Sequence, residues 1–135
     1  MTRQSKFAKS YAHELVKIAF QDLESAEFLA KQPGLRVENV FLLAQQALEK
    51  GLKAVLCWAD QPIPFLHDIG VLVAKLDGIG IVAPFGFDLN SLSEFATIRR
   101  YLEGKETWSP SEIVDVLAQV SGACAWCQAQ IARSP

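Results

Sequence analysis

In the stretch FLLAQQALEKGLKAVL, residues 41 to 56, apolar residues recur at helical spacing, and several polar residues lie between them. Its apolar residues recur every three or four positions, which predicts an amphipathic helix from about Val37 to Ala59. Pro62 and Pro64 then end the helical pattern. The predicted apolar stripe comprises Phe41, Ala44, Leu48, Leu52, Val55 and Ala59.

The polar residues of this helix fall on two ridges. Gln45, Glu49 and Lys53 are four residues apart and form one ridge, and Gln46 with Lys50 forms the other. The order of Glu49 and Lys53 favours an ion pair worth about 0.3–0.5 kcal/mol on an exposed surface. Two interpretations stay open. The ridges are solvated flanks, as most charged helix faces are, or they face a hollow shared with other helices.

Outside this segment, helix patterns are strong and strand patterns are weak. Ser109 and Glu112 have the spacing of a capping box, with Pro110 at the first helical position. Short connections favour antiparallel neighbours, so we expect an all-α fold in a single domain, residues 1–135. Its architecture would be an up-and-down antiparallel bundle of four main helices plus one short helix. The predicted helices cover residues 11–31, 37–59, 68–76, 88–101 and 109–132, with a loop at about 78–86.

The first of these helices has its own apolar pattern, at the same spacings of three and four. Its predicted stripe comprises Leu15, Ile18, Ala19, Asp22, Ala26 and Leu29. Gln32, Pro33 and Gly34 form the stop signal that follows it.

Composition and charge narrow the classes of function. The 135 residues carry a formal net charge of −2 and a sequence pI of about 5.7, so we expect no DNA binding. No apolar run reaches the ~18 residues that a membrane span requires. The polar N-terminal segment lacks the apolar core of an export signal. These features predict a cytoplasmic protein that does not enter membranes.

Cysteine and histidine residues are the natural candidates for redox or metal chemistry. The odd count of three cysteines predicts reduced thiols. Cys124 and Cys127 form a C-x-x-C in mid-helix, whereas a redox pair favours a helix N-terminus and a zinc site requires a second pair. We expect them to be buried thiols. His67 and Asp68 lack metal-ligating neighbours and fit the start of a helix, so no metal and no cofactor is predicted.

Several segments, taken together, resemble the HEPN domain family, which is associated with nucleotide binding. The string F-x-x-A-Q-Q-A-x-E-K-x-x-K-A from residue 41 is similar to the family's signature helix. The A-x-x-D-L-x-x-A of residues 19–26 resembles its first helix, and H-D-I-x-x-L of residues 67–72 resembles a later element. Residues 99–101, Arg-Arg-Tyr, look like the Arg-Tyr that ends its third long helix. The resemblance spans about residues 12–132 and implies an antiparallel bundle of four to five helices, often dimeric.

A nucleotide site would draw on the cations and the aromatic ring of these segments. Lys50 and Lys53, with Arg99 or Arg100, would surround a phosphate, and Tyr101 would lie beneath a base. The alternative is that the arginines only complement the dipole at a helix C-terminus. The predicted ligand-binding residues are Gln45, Glu49, Lys50, Lys53, His67, Arg99, Arg100 and Tyr101.

Many proteins of the family are metal-independent ribonucleases that use an Arg followed four to six residues later by a His. The Arg would hold the phosphate, and the His would exchange protons near neutral pH. The only histidines here are His13 and His67, and neither follows an Arg at that spacing. We therefore predict no catalytic residue. His67 is the one histidine that could compensate.

Three functions follow from these expectations. The first is a non-catalytic module that binds a nucleotide, a small nucleotidyltransferase encoded beside it as in toxin–antitoxin pairs, or both. The second is a ribonuclease toxin with a degenerate motif, and the third is an architectural dimer without a ligand. A homodimer fits all three, with Trp58, Trp108 and the apolar Gly/Pro-rich loop as its patch.

Overall fold

The computed structural model describes residues 3–65, 68–85 and 109–132, and their side chains from residue 8 onward. Within these ranges the chain forms helices, turns and loops, and no strand. The all-α prediction is confirmed. The predicted helix over residues 88–101 lies outside the described residues. The described helices are α1 (Arg3–Ala30), α2 (Val37–Trp58), α3 (Ile69–Asp77) and α4 (Pro110–Ile131).

Helix α2 lies at the centre of the bundle. It packs against α1, α3 and α4, and fourteen of its 22 residues are buried. The predicted stripe from Phe41 to Val55 is buried throughout, whereas Ala59 lies beyond the helix and is half-buried. Because a helix that is buried on most sides cannot expose its polar residues freely, this position determines the environment of both polar ridges.

Helices α1 and α2 run antiparallel, as the short connection between them predicts. Ala8 and His13 of α1 contact residues 57 and 58 at the end of α2, whereas Asp22 contacts Lys50 further back. The thiol of Cys57 donates to the carbonyl oxygen of Ala8 at 3.1 Å.

Helix α1 begins at Arg3, eight residues before its predicted start. The early residues show little apolar pattern, yet Lys9 lies over the ring of Trp58 at 4.4 Å from its centroid. Contacts with the end of α2 therefore support the extra turns, because tertiary packing stabilises helix that propensity alone would not.

The predicted apolar stripe of α1 is wrong in one respect. Ile18 is 38% exposed and Leu15 only half-buried, whereas Ala19 and Ala26 are buried as predicted. The buried positions alternate at spacings of four and three, and this frame lets α1 pack closely on α2. The buried frame comprises Ala12, Val16, Ala19, Leu23 and Ala26.

The starts of α3 and α4 follow local sequence signals. Asp68 caps α3 through Oδ1, which accepts from the backbone N–H of Val71 at 3.3 Å. At α4, Ser109 Oγ accepts from the backbone N–H of Glu112 at 3.2 Å, and Glu112 Oε1 accepts from the backbone N–H of Ser109 at 3.0 Å. The predicted capping box is confirmed, with Pro110 as the first residue of the helix.

The segment after α3 is a loop, as predicted for its described part, residues 78–85. Gly80 takes a φ of +85°, which favours glycine, and the ring of Phe85 meets that of Trp126 edge-on at 5.7 Å. Among the described helices, none combines the length and apolar character needed to cross a membrane.

Candidate functional site

An ion pair joins α1 to α2 at Asp22 and Lys50. Lys50 Nζ lies 2.5 Å from Asp22 Oδ2, and the two side chains are 33% and 20% exposed. Asp22 belongs to the segment that resembles the first family helix, and Lys50 belongs to the signature helix. The two segments that carry the resemblance therefore meet directly through opposite charges.

A second ion pair runs along α2 itself. Lys53 Nζ lies 2.8 Å from Glu49 Oε1, one helical turn away, in the order that the sequence predicts. Both side chains are mostly buried, at 14% and 8% exposed. An ion pair in such surroundings is screened less by water than a surface pair, but its desolvation also costs more.

The Gln45–Glu49 ridge of α2 is not a solvated flank. Gln45 and Glu49 are each 6% exposed, and Gln46 is half-buried. Of the two interpretations open from the sequence, the solvated one is wrong for the Gln45–Glu49 ridge. The Glu49 carboxylate has a polar neighbour in Lys53, so this ridge is a polar strip inside the bundle.

The two lysines of α2 are each neutralised by a carboxylate of this chain. Asp22 and Glu49 each hold one of the two predicted phosphate-binding lysines. An anion that approached Lys50 or Lys53 would therefore have to share the ammonium group with a carboxylate or displace it. The lysines alone form a weak anion site, and further cations would be needed for tight binding.

The other predicted ligand residues lie outside the described residues. These are His67, Arg99, Arg100 and Tyr101. Asp68, which follows His67 in the sequence, caps α3, as the helix-start interpretation predicts. Whether the four residues approach Lys50 and Lys53 stays a prediction.

The cysteines are buried thiols, as the sequence predicts. Cys57, Cys124 and Cys127 are free and buried. Burial, with a smaller contribution from the charge of Asp22, raises the pKa of Cys124 to about 12, and burial also raises the pKa of Cys127. Such thiols stay protonated and react poorly near neutral pH. The described part of the chain also holds no cluster of three or more metal-ligating side chains.

A groove of about 750 Å³ lies between α1 and α4. Val16 and Phe20 belong to its α1 wall, and Ala125 and Ala129 belong to its α4 wall. Four charged or polar side chains of α1 also line it: His13, Lys17, Gln21 and Glu24. None of the described ligand residues predicted on α2 lines this groove. Sequence reasoning missed it, although the alanines at four-residue spacing on α4 were a signal for a shallow helix surface.

Comparison with protein-family models matches residues 12–130 to the HEPN domain. The matched range includes both segments that meet at Asp22 and Lys50. No curated protein and no solved structure gives a significant match to the chain.

Proposed function

The chain belongs to the HEPN domain family, and from that premise we propose that it is a non-catalytic module that binds a nucleotide and serves as companion to a small nucleotidyltransferase. The family is one of nucleotide-binding and ribonuclease-type modules. The toxin–antitoxin type of partnership is the more specific part of the proposal.

The observation that carries the proposal is the ion pair between Asp22 and Lys50. Charges that are partly withdrawn from water lose solvation, and replacing them with apolar residues is often neutral or stabilising. A role in binding a ligand would account for an ion pair that adds little stability. Lys50 remains one-third exposed, so its ammonium group can turn from Asp22 toward a phosphate that enters from the solvent.

In this proposal the arginines supply the cations that carboxylates do not already neutralise. Arg99 and Arg100 offer planar groups that bind phosphate through two parallel hydrogen bonds, and Tyr101 offers a face for a base. Asp22 and Glu49 hold the ammonium groups of Lys50 and Lys53 until the ligand arrives. This arrangement predicts moderate affinity, because the ligand competes with two carboxylates.

Thermal unfolding with and without ATP tests the nucleotide part. ATP at 100 times its dissociation constant should add about 2.7 kcal/mol to the free energy of unfolding. We expect Lys50→Ala and Arg100→Ala to weaken ATP binding at least about tenfold while circular dichroism still shows a folded helical protein. Lys75→Ala, which removes an exposed cation from α3, is the matched control and should leave binding unchanged. No stabilisation by any nucleotide would refute this part of the proposal.

The reading frames beside this gene test the partner. A small nucleotidyltransferase encoded next to it, which co-purifies with this chain after joint expression, is the expected result. Adjacent frames without such an enzyme, or an enzyme that elutes separately, would argue against the partnership and leave the nucleotide result standing.

The absence of an Arg-x4-6-His motif in the sequence supports the non-catalytic part. Purified protein incubated with labelled single-stranded RNA should leave it intact. Cleavage that disappears in His67→Ala would instead establish the degenerate ribonuclease.

A further inference from the structure

The N-terminal half of α1 carries a row of basic side chains. Lys9, His13 and Lys17 follow one another at four-residue spacing, so they lie on one ridge of the helix. We call these three residues the basic ridge. Within the described ranges, none of the three forms an ion pair with a carboxylate, whereas Lys50 and Lys53 each do.

The charge of this segment works against its own helix. The first 13 residues of the chain contain Arg3, Lys6 and Lys9 and no Asp or Glu. Cations near a helix N-terminus interact unfavourably with the helix dipole, and the first turn of α1 has no acidic residue to offset them. Because the whole chain has a net charge of −2, this excess of positive charge is local to α1. An anionic partner would offset it.

The basic ridge borders the apolar groove between α1 and α4. His13 and Lys17 line that groove, and Val16, Phe20 and Ile131 give it apolar surface. The small alanine side chains of α4 that line the opposite wall leave room for another helix to approach. A partner that fits both features therefore needs carboxylates on one row of positions and apolar side chains on the neighbouring row.

Two features favour an acidic protein segment over a nucleic acid. Lys9 already lies over the ring of Trp58, 4.4 Å from its centroid, and His13 meets the same ring edge-on at 5.6 Å. This ring therefore offers little free face on which a base could stack. Glu24 lines the other part of the groove and would repel a polyanion that continued along it. A short segment with a few carboxylates and several apolar side chains meets neither obstacle.

We propose that an acidic amphipathic helix of a partner protein docks along α1, with its carboxylates on the basic ridge and its apolar side chains in the α1–α4 groove. Such helices bind through anchors at spacings of three and four. From Lys9 to Glu24, α1 rises about 22 Å, so the docked helix would have about 15 residues. The described ligand residues predicted on α2 do not line the groove, so docking and nucleotide binding can succeed or fail independently.

Fluorescence anisotropy with the full chain and a labelled synthetic peptide tests the proposal. The peptide has about 15 residues, with Glu at every fourth position and Leu on the neighbouring row. A scrambled peptide of the same composition keeps the charge and loses the pattern. The patterned peptide should bind at least about tenfold more tightly than the scrambled one, and added salt should weaken its binding. No binding, or equal binding of the two peptides, would overturn the proposal.

Charge exchange at Lys17 tests the ridge itself. Lys17→Glu should weaken binding of the acidic peptide at least about tenfold, because it places like charges opposite each other. A second peptide with Lys in place of Glu should prefer this variant to the wild type, a result that a misfolded variant would not give. Lys75→Glu makes the same change on α3 and should bind the acidic peptide as the wild type does. An unchanged affinity for Lys17→Glu would contradict the docking.

A carboxylate placed in the groove tests the apolar half of the contact. Ala129→Glu changes an exposed residue that lines the groove, and should weaken binding of the acidic peptide at least about tenfold. Ala118→Glu makes the same change at an exposed position of α4 that does not line the groove, and should have little effect. Circular dichroism should show equal helix content for both. Labelled single-stranded RNA that displaces the peptide and binds more tightly would assign the ridge to nucleic acid and overturn the proposal.

Discussion

Helix α2 meets α1 and α4 in two different ways. Against α1 the contact includes an ion pair, Lys50 to Asp22, and a thiol hydrogen bond from Cys57 to the backbone. Against α4 it includes Gly51, where a Cβ would lie only 3.2 Å from Cys127 Sγ. One contact is specified by matched polar groups, and the other is limited by volume.

The difference shows that the two contacts have separate effects. Apolar packing contributes most of the stability, and the ion pair contributes mainly to the choice of helix register. A partly exposed ion pair adds little net free energy, because Coulomb attraction is offset by desolvation and lost side-chain entropy. The ion pair does, however, raise the free energy of any other register of the two helices in which the charges would be separated. Close apolar packing contributes more stability, yet it tolerates neither lost nor added volume. The polar contact should therefore be energetically mild to alter, and the tight contact costly.

The largest effect should come from the apolar core that both contacts share. Leu48→Ala removes a fully buried side chain from the middle of α2 and should lower the free energy of unfolding by about 2–5 kcal/mol. Leu42→Ala makes the same change on the same helix at a position that is 40% exposed, and should cost well under 1 kcal/mol. Urea denaturation of both variants measures the difference. Equal losses would mean that Leu48 is not a core residue.

The next effect isolates the contact with α4. Gly51→Leu forces a large side chain against Cys127 and should cost about 1–3 kcal/mol despite the gain in helix propensity. Gly122→Leu is the matched control in α4, where an added Cβ would meet nothing within 4 Å. It should be neutral or stabilise the protein by up to about 1 kcal/mol. If both substitutions behave alike, close approach does not limit this contact.

A smaller effect is expected for the polar contact with α1. A double-mutant cycle on Asp22→Ala and Lys50→Ala should give a coupling energy of about 1 kcal/mol, reduced by added salt. The pair of Arg36 and Glu38 provides the control and should give a smaller coupling energy, because the Arg36 side chain is 65% exposed and the two groups are 3.4 Å apart. A coupling energy of several kcal/mol would show that the ion pair stabilises the fold as strongly as packing does.

The mildest test probes the reactivity of the thiols, first in the wild-type protein. At pH 8 the native protein should react slowly with a thiol reagent, through Cys57, whereas unfolding in guanidinium should make all three thiols reactive.

Because burial raises the pKa of Cys124 to about 12 from 9.0, the unfolded thiol ionises first as pH rises. The native state binds more protons over that range, so stability should fall from about pH 9 upward. The Cys57→Ala variant should lose the slow native reaction. Fast native labelling of Cys124 or Cys127 would contradict their burial.

Local signals made much of the fold predictable. The start of α4 was predictable because its signals lie within a single turn: the capping box of Ser109 and Glu112, and Pro110 at the first helical position. The bounds of α2 followed from its periodicity and the prolines after it. The stripe of α1 was partly misread because large side chains such as Leu15 and Ile18 outweighed alanines in the pattern, whereas close packing favours the alanines.

The site was harder to predict, because helical spacing says which residues share a face and not what lies opposite. The sequence left Glu49 either on a solvated flank or facing a hollow between helices, and only the position of α2 among its neighbours makes it buried. The partner of Lys50 is 28 residues away, so no local pattern connects the two. One signal was present. Asp22, a carboxylate inside an apolar stripe, implied a polar partner across the helix contact.

The capping box at Ser109 has a consequence for how this protein can vary. Since Ser109 and Glu112 exchange the two capping hydrogen bonds at the start of α4, the helix carries its own starting signal. The residue at which α4 begins is then independent of the length of the chain that precedes it. Evolution, or an engineer, could lengthen or replace that approach while α4 still begins at the same serine.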